Sequence, residues 1–282
     1  MSKIIWLSSY PKSGNTFLRI LISTYFFTND GNYKQLLLKN IKEYPREYFE
    51  YVPNNSISKE AMQWKRKQLT INKSYKNFIF LKTHLAHCDV NKKYKTLVPN
   101  LSKCIIYIYR DPRNVLLSLK DFFNLNIKSA KKVLFDNKGI IRLKNENGLE
   151  KNFAPILDWG SNYCSYKNNE SRIPTLFVKY EDLVKNTAEE LLKILKFLKN
   201  KNISFDIDKE KIKETVNSTT FNKVKILEKK EGFIETIDAG NKNNKLFFSK
   251  GGARDYNKEL SSADSSEVFQ KYYVVMKQLG YV

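Results

Sequence analysis

Four short apolar runs, three of which lead straight into a helical pattern, constrain this chain more than anything else in it. They are residues 3–8 (KIIWLS), 78–83 (FIFLKT), 104–109 (CIIYIY) and 175–179 (TLFVK). The first, third and fourth are near-continuous in apolar residues and the second is only briefly interrupted. That is the pattern of strands buried on both faces of a parallel sheet. After the first run, residues 16–27 place Leu18, Leu21, Ile22 and Tyr25 at helical spacing. After the third, residues 112–123 put Val115, Leu116, Leu119, Phe122 and Phe123 on one side, with Asp111 set to cap the helix and Pro112 at its first position. After the fourth, residues 181–199 carry Leu183, Leu191, Leu192, Leu195 and Leu198. Strand, turn and helix in repetition predict right-handed βαβ units and a doubly wound α/β fold of mainly parallel strands flanked by helices.

The length of 282 residues suits a single α/β domain over 1–282 with its own core. Segments 28–77 and 124–170 carry less strand signal and many Tyr, Phe and Asn residues, and read as helical and loop insertions covering a site. Within 25–51 stand Tyr25, Phe26, Phe27, Tyr33, Tyr44, Tyr48, Phe49 and Tyr51. They line an acceptor pocket or pack insertion helices on the sheet, and the sequence leaves both open. Hydrophobic residues at 41% and aromatics at 13% exclude a solvated, disordered polymer. No run of 18 or more apolar residues occurs, so no membrane span is expected. Three scattered cysteines, Cys88, Cys104 and Cys164, argue for a reducing compartment, and the expected location is cytoplasmic.

The net charge of +21 raises nucleic acid as a partner. Only eight of the 50 cations are Arg, and the Lys residues are spread along the chain, so no nucleic-acid partner is expected. Such a field still steers an anionic small ligand.

The loop after the first run reads Tyr10-Pro11-Lys12-Ser13-Gly14-Asn15-Thr16-Phe17 and opens directly into a helix. A turn there aims backbone N–H groups outward, and the helix start adds roughly half a positive charge. Gly14 permits close approach, Lys12 adds a point charge, and Ser13 and Thr16 add hydroxyls. These are the parts of a phosphate cradle. The loop lacks the G-x-x-x-x-G-K-[ST] order of a nucleotide-triphosphate site, because Lys12 precedes Gly14.

That order resembles the PKSGTT element of the cytosolic sulfotransferase family, whose donor is 3′-phosphoadenosine 5′-phosphosulfate. Tyr109-Arg110-Asp111-Pro112 through Ser118 is similar to the family's 3′-phosphate element, an Arg with a Ser eight residues on. Lys82-Thr83-His84-Leu85 resembles KTHLP, with Ala86 for the Pro. Tyr180-Glu181-Asp182 resembles YED, and Thr219-Thr220-Phe221 a TSF element. Phe248-Ser249-Lys250-Gly251 looks like the start of the RKGxxGDW loop. Three departures stand out. Asn15 replaces a Thr, Phe17 replaces an adenine-stacking Trp, and Ser249 replaces an Arg that Arg254 would compensate. The changes fit a distant, bacterial-type member.

The resemblance implies a P-loop-like fold and donor contacts from Lys12, Ser13, Gly14, Asn15, Thr16, Phe17, Arg110, Ser118, Tyr180, Thr219, Thr220, Phe221, Phe248, Ser249, Lys250 and Gly251. It implies His84 as general base, Lys12 stabilising the departing phosphate, and Lys82 and Ser118 in the catalytic set, with Ser118 holding Lys12 back until an acceptor arrives. An ordinary histidine pKa of about 6.5 suits the base role. No metal is implied. The His84, His87, Cys88, Asp89 cluster is a weak alternative, short of ligands for zinc. Lys258, Ser262, Ala263 and Glu267 resemble a degenerate dimer segment, which implies a homodimer. The expected acceptor is a small molecule, glycan or lipid bearing a hydroxyl or amine. A P-loop kinase or NTPase, and a non-enzymatic polyanion-binding module, are the competing readings.

Overall fold

The computed structural model describes residues 2–45, 57–90, 92, 94–144, 150–233, 246–248 and 254–282, with the backbone alone over 57–62, 140–144 and 150–154. The described strands are β1 (Ile4–Ser8), β2 (Ile79–Thr83), β3 (Asp89–Val90), β4 (Tyr94–Lys95), β5 (Ser102–Tyr109), β6 (Ile140–Lys144), β7 (Glu150–Pro155) and β8 (Thr175–Lys179). The central sheet has the order β2-β1-β5-β8, and every neighbouring pair is parallel. The described helices are α1 (Asn15–Phe27), α2 (Ile57–Ser74), α3 (Pro112–Phe122), α4 (Ile127–Phe135), α5 (Trp159–Lys167), α6 (Tyr180–Lys185), α7 (Thr187–Asn200), α8 (Lys209–Ser218), α9 (Phe221–Glu231) and α10 (Ser262–Gln278). The architecture is the α/β fold of parallel strands flanked by helices that the strand–helix repetition predicts.

The chain forms two compact units. The first comprises residues 1–15, 43–179 and 255–282 and holds the whole central sheet. Alternate residues of its strands, Ile4 and Trp6, Ile79 and Leu81, Ile105 and Tyr107, face one side and pack with Tyr44, Trp64 and Tyr166. The Trp6 indole is wholly buried and donates to Ser102 Oγ at 2.8 Å, which satisfies its one polar atom. A second cluster gathers Val115, Leu116 and Leu119 of α3 with Leu134, Trp159, Val268 and Met276. The helix α3 starts where its sequence says it should: Asp111 caps it by accepting from Arg113 N at 2.9 Å, and Pro112 follows.

The second unit comprises residues 16–42 and 180–254. Leu18, Leu21, Ile22 and Tyr25 of α1 are all buried, as their spacing predicts. Ile20 packs with Leu38, Val224 and Phe233, and the Arg19 guanidinium is held by the carbonyls of Leu38 (3.1 Å) and Ile41 (2.7 Å). The expected helix over 181–199 is two, α6 and α7, divided at Asn186, whose backbone (φ −124°, ψ 52°) is not helical.

Other expectations change. The run 175–179 is the strand β8 at the end of the sheet, where only Val178 is fully buried. Phe177 packs on one face against Tyr107 and Tyr163, with ring centroids 5.7 and 5.4 Å away, while Val178 is buried on the other, so both faces are covered and the partial exposure comes from the position at the sheet edge. Phe122 and Phe123 leave the apolar side of α3 and stand 45% and 50% exposed at its end. Segment 124–170 holds the antiparallel pair β6–β7 as well as helices and loops. The Pro155 carbonyl of that pair accepts from Ala86 N at 2.8 Å, which ties it to the chain just beyond β2. Of the aromatic run 25–51, Tyr44 is core, edge-on to Trp6 with ring centroids 5.3 Å apart. Tyr25 and Phe26 pack with Phe205, while Tyr48, Phe49 and Tyr51 lie outside the described residues.

Candidate active site

In an open parallel sheet, loops leave the carboxyl ends of all strands along one edge, and ligands bind where the strand order changes direction. Here the order turns between β1 and β5, so the loop after β1 and the start of α3 flank that point. The loop after β1 is sharply bent. Ser13 N–H donates to the Tyr10 carbonyl at 3.3 Å, and Lys12 (φ 65°) and Gly14 (φ 100°) both take the left-handed backbone. Glycine adopts that conformation at little cost, whereas Lys12 does so against a strain of roughly 1 kcal/mol or more. Helix α1 begins at the next residue, Asn15. The Ser13 hydroxyl is fully buried and meets no hydrogen-bond partner among the described residues. Left-handed residues on either side of Ser13, a helix start, an orphaned hydroxyl and a Lys fit a phosphate group well.

Arg110 follows β5 and closes toward this loop, with Nη1 3.5 Å from the Lys12 carbonyl. Its own carbonyl accepts from the Trp159 indole at 3.1 Å, which anchors the strand end from α5. Along α3, Asn114, Ser118 and Phe122 recur every four residues and share one face. Asn114 Oδ1 is buried and meets no partner among the described residues, and Ser118 is half-buried. The Lys12 ammonium lies 3.8 Å from the Phe122 ring centroid, one turn past the Ser118 expected to hold it.

His84 comes one residue after β2 and is fixed on two sides. Its Nδ1 lies 2.9 Å from the Ser9 carbonyl and 3.2 Å from Ser9 Oγ. A carbonyl only accepts, so Nδ1 carries the proton and the ring lone pair sits on Nε2. The His84 carbonyl accepts from Asn162 Nδ2 at 3.2 Å, and Tyr107 Oη in turn donates to Asn162 Oδ1 at 2.7 Å. Asn15 reaches the same strand end: its Nδ2 donates to the Leu7 carbonyl at 3.0 Å and to Ser9 Oγ at 3.2 Å. This side chain therefore braces β1 and the Ser9 hydroxyl from the loop.

Lys82 is largely buried and its ammonium meets the Glu43 carboxylate at 3.0 Å, while the Lys82 carbonyl accepts from Tyr44 N at 2.7 Å. The first unit thus gathers Lys12, Ser13, Gly14, Asn15, Lys82, His84, Arg110 and Ser118. Thr16, Phe17, Tyr180, Thr219, Thr220, Phe221 and Phe248 belong to the second. There, Phe221 and Phe248 approach with ring centroids 6.4 Å apart, and Phe248 N donates to Glu228 at 2.9 Å. Thr219 is buried with its hydroxyl turned back to the Thr215 carbonyl at 2.6 Å, and Thr220 directly precedes α9. Ser249, Lys250 and Gly251 lie outside the described residues.

Among the described residues no group of three or more His, Cys, Asp or Glu is placed to hold a metal ion. His87 is buried, which pushes its pKa down to about 4, and burial pushes the Cys88 thiol up to about 11. Among the described residues Cys88, Cys104 and Cys164 form no disulfide. No described helix is long and apolar enough to cross a membrane.

Four contributing residues escaped the sequence reading. Ser9 and Glu43 sit beside motifs rather than in them. Asn162 lies 78 residues from the His84 it braces. Phe122 had a signal in the four-residue spacing from Ser118, but its apolar character assigned it to the core.

The fold is shared with solved structures. A mouse sulfotransferase complexed with PAP aligns over 97% of this chain and 84% of its own, with a TM-score of 0.60 and 19% identity. A retinol dehydratase in complex with retinol and PAP aligns over 97% and 81%, with a TM-score of 0.62 and 16% identity. In sequence, the amine sulfotransferase of Oryctolagus cuniculus is 23% identical over 278 residues, covering 95% of this chain and 79% of the relative. The sulfotransferase domain model matches residues 2–280, and with that match spanning nearly its whole length this chain belongs to the sulfotransferase domain family.

Proposed function

We propose that this chain transfers a sulfuryl group from 3′-phosphoadenosine 5′-phosphosulfate to a hydroxyl or amine of an acceptor, with His84 as base and Lys12 stabilising the leaving phosphate. The observation that carries the reading is the meeting of three strand ends: the bent Lys12 loop, Arg110 against the Lys12 carbonyl, and His84 held by Ser9. The bound donor supplies an electrophilic sulfur whose bond to the 5′-phosphate oxygen breaks as the bond to the acceptor forms. His84 Nε2 takes the acceptor proton, which is the arrangement a Nδ1–H tautomer prepares, and such general base action is worth roughly 10²–10⁴ in rate. Lys12 and the backbone around Gly14 neutralise the charge left on the phosphate oxygen, an electrostatic contribution that is often the largest. Arg110 and Ser118 grip the 3′-phosphate. Lys82, paired with Glu43, fixes the end of β2 from which His84 projects.

PAP in the solved relatives supports the donor, and the rabbit relative's name supports an amine among the acceptors. The exposed Ser262 and Ala263 at the start of α10 are where a homodimer would form, and a monomeric elution volume in gel filtration rejects that part.

The test is calorimetry with adenosine 3′,5′-bisphosphate, with and without Mg²⁺. Tight binding indifferent to the metal is expected. A requirement for Mg²⁺ would favour a kinase or NTPase, and affinity for any polyanion with a steep salt slope would favour a non-enzymatic module.

A further inference from the structure

The geometry points to Asn15 and Ser9 as positioning residues that hold the imidazole of His84 in its Nδ1–H form, and this rests on the reading of His84 as the base. Two oxygens of Ser9 face one ring nitrogen, the carbonyl at 2.9 Å and the hydroxyl at 3.2 Å. Both can accept a proton from Nδ1, whereas neither offers Nε2 a place. A hydroxyl rotates, however, and a strand end frays, so two acceptors aimed together need something to hold them. Asn15 supplies it. One amide nitrogen bonds the Leu7 carbonyl and the Ser9 hydroxyl, two residues apart on the same strand, from the first position of α1. With Asn15 Nδ2 donating to Ser9 Oγ, that oxygen's remaining lone pair is turned to the imidazole. On the other side of Ser9, its N–H donates to the Thr83 carbonyl at 3.3 Å, directly before His84. The end of β1 is therefore clamped between the helix start and the strand that carries the histidine.

Burial strengthens the case. Ser9 is fully buried and Asn15 nearly so, each about as inaccessible as the apolar core. Polar side chains so placed specify geometry, because leaving either one unpaired costs more than the bond contributes. Where the family pattern has a Thr, a hydroxyl would carry a single proton and could donate to only one of Leu7 and Ser9, whereas the Asn15 amide nitrogen donates to both. The loop that cradles phosphate and the base that accepts a proton are thus joined through one side chain, so ordering of the loop is communicated to the ring.

The chain contains only two histidines, His84 and His87, which makes the state of the ring directly readable. Two-bond ¹⁵N–¹H correlation spectra of the full chain, labelled at histidine, should show the neutral His84 as the Nδ1–H tautomer, with His87 as the internal reference. In Asn15→Ala and Ser9→Ala a substantial fraction should pass to the Nε2–H tautomer that imidazole otherwise favours. Ser9→Thr, which keeps the hydroxyl, should restore the first form. Turnover in the two alanine variants should fall about tenfold in kcat, and in Ser9→Ala the KM for the donor should stay within about twofold. An unchanged His84 tautomer in both alanine variants overturns the assignment, as does a Nε2–H ring in the unaltered chain. Binding of adenosine 3′,5′-bisphosphate by each variant confirms that the chain is folded. If the tautomer shifts as expected while His84→Ala still turns over, the base reading fails and the positioning assignment stands.

Discussion

The Lys12 ammonium sits 3.8 Å from the centroid of the Phe122 ring, and Phe122 is itself 45% exposed at the end of α3. A cation over an exposed ring gains roughly 0.5–1 kcal/mol. Lys12 must give up that contact if it turns to a phosphate. Phe122→Leu keeps the apolar bulk and removes the π-face, so the affinity for adenosine 3′,5′-bisphosphate should rise about two- to fivefold by calorimetry. An unaltered or weaker affinity would show that Lys12 is not held away from the nucleotide by this ring.

Replacing the two central side chains should separate chemistry from binding. His84→Ala should lower kcat by about 10²–10⁴ while the nucleotide affinity stays within about twofold. Lys12→Ala should damage both, because the ammonium serves ground and transition states alike. Turnover retained in the first variant removes His84 from the base role. Unchanged kinetics in the second removes Lys12 from the site.

Acid should destabilise the fold through His87. Burial, with the charge of Arg172 adding to it, lowers its pKa from the ordinary 6.5 to about 4. The unfolded chain therefore binds the extra proton first. Stability from this residue is fully present above about pH 6.5 and is lost as the pH falls toward 4, by about 3 kcal/mol over that window. Chemical denaturation at pH 7 and pH 4.5 should show this loss in the native chain and not in His87→Gln. Equal losses in both would assign acid sensitivity to other groups.

Asp111 and Arg113 form a buried ion pair with Nη2 and Oδ2 2.6 Å apart, and Arg113 also donates to the Tyr281 carbonyl at 3.1 Å and stacks 3.9 Å above the Tyr256 ring. Removing one partner leaves a buried charge. Asp111→Ala should cost about 3–5 kcal/mol, since the helix cap is lost as well. Asp111→Asn keeps a capping oxygen and should cost less. Thermal melts that rank the two variants equally would show that the cap contributes little beside the charge.

The strand–helix alternation was legible because period and apolar continuity are local properties. Residues 175–179 form β8 within the bounds that their composition marks, and α3 begins at the Pro112 its cap announces. The positions of Lys12, Arg110 and His84 just beyond strand ends were legible for a different reason. Each lies at the end of an apolar run, and in a parallel sheet all such ends leave one edge. What stayed hidden depended on contacts between distant segments. Nothing local marks Asn162 as the brace of His84, or Glu43 as the partner of Lys82 39 residues away. The split at Asn186 was missed because apolar spacing continues across it.

By itself, then, the sequence determined which segments become strands and helices, and that a bent, basic loop would stand at the head of the first helix. Only the tertiary structure decided which way the imidazole of His84 points its proton, where the Lys12 ammonium rests, and that Phe122 leaves the core. Those outcomes turn on separations of a few ångströms between atoms far apart along the chain. They are set by the order in which the strands lie side by side, and no single stretch of the sequence encodes that order.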